Sequence, residues 1–304
     1  MLRYILTRAD NSSEELNCVL SAQLDCDLNV PADSLTLLLP DDDALRESAD
    51  RLSVYDDDRE VFTGQVDEAV SVREQSGHTL RLCARSPAAL LLDNEAEPIT
   101  YIYPSNRLMR DRHLLPFGVT ECEDERHPLY EFLRVNKGDS HWKVLERYCR
   151  RRYGAMPRIQ GSRAYLKGYR AEGTVRFGKD GVPILRLRQA YRRCKALSEV
   201  IVRLTDGGAY RSPVKNTAPE ARGVTRVRYL NAVADGVSLD TAQQMIDNGN
   251  AAVRTVTIRC AGALTDVLGK AAVIDGAGGY RVVGFRFRQD EDGAFTTVSL
   301  RKEC

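Results

Sequence analysis

Three sets of residues carry side chains that could do chemistry. His113, Cys122 and His127 supply nitrogen and sulfur donors of the kind that hold zinc. Their spacing fits no common zinc pattern, and Glu121, Glu123, Asp124 and Glu125 crowd the same stretch. Residues 41–50, DDDALRESAD, gather carboxylates that would attract calcium, but the glycine and closing glutamate of an EF-hand loop are missing. A solvated connector is the better reading. Arg147, Arg150, Arg151 and Arg152 stand beside Tyr148 and Tyr153, a basic and aromatic mixture that suits nucleic acid. Against that reading, arginine is favoured near a helix C-terminus by the helix dipole. The whole chain also balances 44 basic against 43 acidic residues, for a net charge of +1.

Other signatures are absent. The sequence holds no GxSxG, HExxH or P-loop pattern, and its four histidines have no nucleophile at a recognised spacing. The glycine-rich DGAGG (275–279) leads into a strand-like segment, so it reads as a turn and not as a phosphate cradle. The sequence therefore predicts no enzyme: no catalytic residues, no cofactor and no metal.

The elements around these residues are mostly strands. Residues 34–40, 51–56, 56–72 and 78–85 are short strand-like segments separated by turn residues, and the third alternates strictly. In the third, Phe62, Gly64, Val66, Val70 and Val72 are expected on one face, and Thr63, Gln65, Asp67 and Ser71 on the other. Gly64 interrupts the apolar face, where glycine weakens a strand; a sharp bend, as at a barrel corner, would account for it. Ser86 and Pro87 read as N-cap and first residue of a short helix that plugs one end of a sheet or barrel.

The middle of the chain is more helical. A short helix is expected over 106–115, ended by Pro116 and Gly118, and a strand over 130–135. A longer helix over 139–153 is capped by Asp139 or Ser140 and stopped by Gly154. It buries Trp142, Leu145, Cys149 and Tyr153 on one stripe and leaves Arg151 on the polar face. A return strand starts at 157–159, which makes a strand–helix–strand α/β module. Strands follow at 183–190, 197–205, 223–231, 251–260, 279–288 and 294–302, with one helix over 238–250, capped by Ser238 and stopped near Gly249. Gly284 again stands mid-strand ahead of a hairpin turn, a weak echo of Gly64 that hints at two related β domains.

The length, 304 residues, suits about two domains. Eight scattered cysteines without a CxxC read as reduced thiols. The N-terminus turns charged too early for a signal peptide, and no apolar run reaches the roughly 18 residues of a membrane span. A cytoplasmic origin is the expectation.

Taken together, several stretches resemble one family. EVFTGQVDEAV (60–70), VNKGDSHWKVLERYCRRRYGAMPRI (135–159), QMIDNGNAAVRTVTIRCAG (244–262), VLGKAAVID (267–275) and YRVVGFRFRQDEDGAFTTVSLRK (280–302) resemble, in order, the Mu-like baseplate hub and late control protein D group of contractile phage tails, with its prophage and tailocin counterparts. The resemblance implies a β-dominated α+β fold: two tail-tube-like β-barrels, 1–95 and 161–304, with a small inserted α/β module, 96–160. It implies a structural ring protein without an active site, a homotrimer that joins the tail tube protein to the spike protein among other baseplate proteins. It places the chain in the baseplate of a phage or tailocin particle, with no membrane partner and with DNA at most passing through the ring. Phe62, Gly64, Trp142, Leu145 and Gly284 are expected to be structural positions, from the strand and helix patterns above. A distal tail or tail-associated protein of a non-contractile tail, and a tail peptidoglycan hydrolase, are the competing readings.

Overall fold

The computed structural model describes residues 2–75, 77–125, 127–205, 207–232 and 239–303. Seven strands come first: β1 (Leu2–Arg8), β2 (Ser13–Glu15), β3 (Ser21–Asp27), β4 (Ser34–Pro40), β5 (Ala49–Asp56), β6 (Arg59–Glu74) and β7 (Gly77–Arg85), with α1 (Asp43–Ser48) between β4 and β5. Short elements follow: α2 (Ala88–Asp93), β8 (Thr100–Ile102), α3 (Asn106–Met109), β9 (Glu121–Cys122), β10 (Phe132–Arg134), α4 (His141–Tyr153), β11 (Arg158–Gln160) and β12 (Arg163–Tyr165). The rest comprises β13 (Thr174–Phe177), β14 (Arg186–Tyr191), β15 (Glu199–Arg203), β16 (Ser212–Lys215), β17 (Val227–Asn231), α5 (Leu239–Val253), β18 (Arg254–Ala261), β19 (Ala271–Ile274), β20 (Ala277–Asp290) and β21 (Gly293–Lys302). The fold is β-dominated, as the alternating segments predict.

One sheet of 13 strands runs β14-β18-β21-β20-β3-β4-β7-β6-β5-β1-β2, with β19 and β13 branching from β20. The first and last parts of the chain meet in it where β3 pairs antiparallel with β20, from Gly284↔Asp27 to Gln289↔Ala22. Their inward side chains share one core: Leu6, Leu24, Leu35, Leu37, Leu52 and Leu82 pack in the same cluster as Ile258, Phe285, Phe287 and Leu300. A second core forms under α2 and α4, and a small third one around Val200, Val202, Ala242 and Ile246.

Both mid-strand glycines sit where a long strand exchanges partners. β6 pairs with β5 as far as Gln65 and takes up β7 from Gln65 onward. β20 pairs with β19 through Arg281 and with β3 from Gly284. The need for glycine is close approach. A Cβ on Gly64 would stand 2.4 Å from the Arg85 carbonyl oxygen and 2.6 Å from the Phe62 ring, which lies over it. A Cβ on Gly284 would meet the Cys26 carbonyl and the Asp27 carboxylate at 3.0 Å. Each strand also carries a bulge, between Val66 and Glu68 in β6 and between Val282 and Gly284 in β20.

The bulge in β6 corrects the expected facing of that strand. One extra residue reverses every side chain beyond it. Phe62 and Gly64 are buried as expected, but past the bulge Ala69 packs on the core and Val72 is exposed.

Three further expectations change. Ser86 does not cap α2; its hydroxyl accepts the Asp33 N–H at 3.0 Å, and Pro87 takes the cap position. α5 continues past Gly249 to Val253, because glycine there admits the Lys195 carbonyl, which would lie 2.9 Å from a Cβ; Ser238 lies outside the described residues. The strands flanking α4 do not pair with each other: β10 joins β8, and β11 joins β12, which also pairs with β9.

Gly64→Ala should cost roughly 1–3 kcal/mol, the usual range for forced overpacking, because a backbone carbonyl blocks the new methyl. Gly284→Ala should cost less, since its neighbours need shift by only a few tenths of an ångström. Urea melts of both variants check the order, and an equal or reversed cost would refute the close-approach reading of Gly64.

Candidate assembly surface

Helix α4 is built as its sequence predicts. The Ser140 hydroxyl caps the Lys143 N–H, and Gly154 closes the helix in the left-handed region at φ 63°. Trp142, Leu145 and Cys149 are buried with Val144 and Tyr148, and Tyr153 is half-buried. The Tyr148 and Tyr153 hydroxyls both donate to Asn106 Oδ1, at 2.7 and 2.8 Å, which ties α4 to α3.

The arginines of α4 are not a free basic face. Arg147 bonds the Arg134 carbonyl and Asp139, Arg150 bonds Glu146, Arg151 bonds the Phe132 carbonyl at 2.9 Å, and Arg152 bonds the His127 carbonyl at 3.0 Å. Three of the four staple α4 to the segment around β10. Arg151, expected on an open polar face, has a side chain only 13% exposed. Burial holds its guanidinium below its ordinary range despite Glu131 nearby.

His113 meets neither Cys122 nor His127. Its Nδ1 lies 3.0 Å from His141 Nδ1 and its Nε2 lies 3.1 Å from the Tyr101 hydroxyl. Burial, aided by the neighbouring His141 and Arg112, lowers its pKa to about 4. Among the described residues, no three His, Cys, Asp or Glu side chains are grouped to hold a metal. Asp139 differs. Burial works against its charge, but Lys143, the Asn136 N–H and Arg147 outweigh it and draw the carboxyl down to about 2.

Two surfaces went unread in the sequence. In the middle of the chain Ile102, Tyr103, Tyr130 and Phe132 are exposed together, with Tyr103 stacked on Phe132 at 6.3 Å between ring centroids. Tyr103 holds φ 51°, a conformation that costs a non-glycine residue. Exposed apolar patches of this kind mark contact sites. On the outer face of the large sheet, Arg186, Arg188, Arg259, Arg286 and Arg288 line an open cleft of about 350 Å³ with Thr257, Thr297 and Phe295. The signal was present: arginine occupies every second position at 186 and 188 and again at 286 and 288, hence one face of each strand.

No protein-family model and no curated protein sequence matches the chain. Its fold is that of prophage tail proteins. It superposes on a tail protein from Neisseria meningitidis MC58 with a TM-score of 0.75, at 17% identity, over 99% of this chain and 96% of that one. It superposes equally, with a TM-score of 0.75 at 13% identity, on the 43 kDa tail protein of prophage MuSo2 from Shewanella oneidensis, over 99% and 98% of the two chains. A type VI secretion component of E. coli, described as similar to T4 bacteriophage tail proteins gp27 and gp5, matches with a TM-score of 0.54 at 12% identity, over 95% of this chain and 75% of that one.

Trp142→Ala should cost about 3–5 kcal/mol by emptying the second core. Arg151→Ala should cost about 1–2 kcal/mol, more than a surface change, through a lost hydrogen bond and lost stem packing. A near-zero cost for Arg151→Ala in urea melts would restore the open polar face.

The pH dependence follows from His113. Its folded pKa lies below the unfolded 6.5, so its contribution is complete above about pH 6.5 and is lost as pH falls toward 4. Wild-type stability should therefore decline across that window, and His113→Gln should flatten the decline. An unchanged slope in the variant would show that other groups carry it.

Proposed function

We propose that this chain is the structural subunit of a baseplate hub, a ring that joins the tail tube to the central spike in a contractile phage tail or a related injection device. The observation that carries the reading is the whole-length likeness to prophage tail proteins, with nearly all of both chains superposed. The similar type VI secretion component supports the wider class of injection machines.

In this reading residues 1–95 and 161–304 are two barrel-like lobes of tail-tube type and 96–160 an inserted module. Support comes from the parallel design of β6 and β20, each a long strand with a glycine at its change of partner and a bulge beside it. Three copies of a two-lobed chain present six similar lobes to a sixfold tube and a threefold face to a spike. The role is mechanical rather than enzymatic, the particle is the tail, and DNA crosses the ring without a sequence-reading contact. Phe62, Gly64 and Gly284 maintain the lobes, and Trp142 and Leu145 maintain the inserted module.

The test mixes the purified chain with the tube and spike proteins encoded beside it and measures mass by native mass spectrometry. A homotrimer that captures both partners is expected. A monomer that binds neither at about 10–50 μM, where contacts weaker than roughly −6 kcal/mol are lost, would end the hub reading.

A further inference from the structure

The arginine cleft has a geometry that the chain by itself leaves unbalanced. Arg186 lies directly opposite Arg259 in the β14–β18 ladder. Arg259 and Arg286 in turn both lie opposite Thr297. One row across the sheet thus reads Arg186, Arg259, Thr297, Arg286. Like charges directly opposed across strands are destabilising. Arg286 pairs with Asp25 and Arg288 with Asp290. Arg259 lies over the Phe295 ring, 4.0 Å from its centroid, which holds its guanidinium in place. Among the described residues, no carboxylate stands within ion-pair distance of Arg186, Arg188 or Arg259. β14 is also the terminal strand of the sheet, and Arg186 to Gln189 are all exposed. An edge in this state is open to a partner.

The matching charge is at the other end of the same sheet. The net +1 conceals a division. Residues 1–95 hold 20 acidic and 8 basic residues, a net of −12; residues 161–304 hold 14 acidic and 24 basic, a net of +10. Residues 96–160, with 12 basic and 9 acidic, supply the remaining +3. The acidic excess is densest at 41–50. Asp42, Asp43 and Glu47 of the α1 region are exposed and Asp50 is half-exposed, while the one cation there, Arg46, serves both Asp43 and Glu47. α1 packs on β6, and β7, β4 and β3 separate β6 from the cleft in the sheet order. One chain therefore carries an acidic knob and a basic cleft on different parts of its surface.

We propose that the α1 knob of one copy docks in the arginine cleft of the next, so that copies join head to tail through opposite charges. A contact between two different faces of one chain is heterologous, and it closes into a ring when its rotation divides the circle. The occupant is argued from complementarity: arginine forks take carboxylates in paired hydrogen bonds, and this chain brings its own carboxylates in the required excess. The number of copies rests on the hub reading; the contact does not.

The experiment uses the full chain and follows self-association by sedimentation at about 50 mM and 500 mM salt, where the Debye length shrinks from roughly 14 Å to 4 Å. The wild type should associate about tenfold more weakly in high salt. R186E/R188E and D43R/E47R should each weaken low-salt association by about tenfold or more. The variant carrying all four changes should regain it, with circular dichroism confirming the fold of each. A wild type that stays monomeric in low salt, an association indifferent to the reversals, or a fourfold variant without recovery would each overturn the contact. Those results leave the hub reading to its own test with tube and spike proteins. Capture of duplex DNA at physiological salt, lost in R186E/R188E while the chain remains monomeric, would assign the cleft to phosphates and overturn the proposal.

Discussion

The loop between β3 and β4, residues 27–33, is the junction on which the arrangement of the whole chain depends. The Leu28 N–H donates to the Val283 carbonyl in β20 at 2.8 Å. Arg158, at the start of β11, donates to the Asp27 carbonyl and forms an ion pair with Asp33. Ser86, just ahead of α2, exchanges two hydrogen bonds with the Asp33 backbone. β20, β11 and the start of α2 are thus held at one short loop. Arg158 and Asp33 are both buried, and burial pushes the Asp33 carboxyl up against the pull of its partner. A pair in such a place adds little net stability, but losing one member strands the other, at about 3–5 kcal/mol. Its effect is to hold β11 against the β3–β4 loop in one geometry.

The parts of the fold legible in the sequence are those set by local rules. β7 follows from strict alternation, and α4 follows from a serine cap, an apolar stripe and a closing glycine. The illegible parts are those where distant backbone decides. The β6 bulge cannot be read from EVFTGQVDEAVSV (60–72), because Val70 and Val72 fit an unbroken alternation as well as Phe62 does. Gly249 reads as a helix stop until the Lys195 carbonyl is seen to need its space. Ser86 reads as a cap because its partner, Asp33, lies 53 residues earlier. Arg158 and Asp33 are separated by 125 residues, beyond any local pattern.

The candidate surfaces divide the same way. Gly64 and Gly284 stand out in the sequence because glycine breaks an apolar face, and the structure supplies the cause: a neighbouring strand close against each. The arginine cleft needs four strands brought together, β14, β18, β20 and β21, although each contributes a regular pattern of its own. The cluster of Tyr103, Tyr130 and Phe132 depends on β8 and β10 pairing across the long segment between them, which holds α3 and β9. A positive φ at Tyr103 has no sequence signature at all.

A fold held by these constraints tolerates wide change in sequence. Alternation, a glycine where a strand changes partner and a bulge beside it specify where residues go, and each is satisfied by many residue types. Core positions accept volume-conserving exchange at modest cost. In the docking proposed above, both sides of the contact would belong to one chain and could change together, provided size and charge still match. The acidic 1–95 and basic 161–304 segments fit that proposal: a net of −12 against +10 does not depend on any single charge. A fold can therefore persist after residue identity has faded, as the superposition on two prophage tail proteins at 17% and 13% identity illustrates.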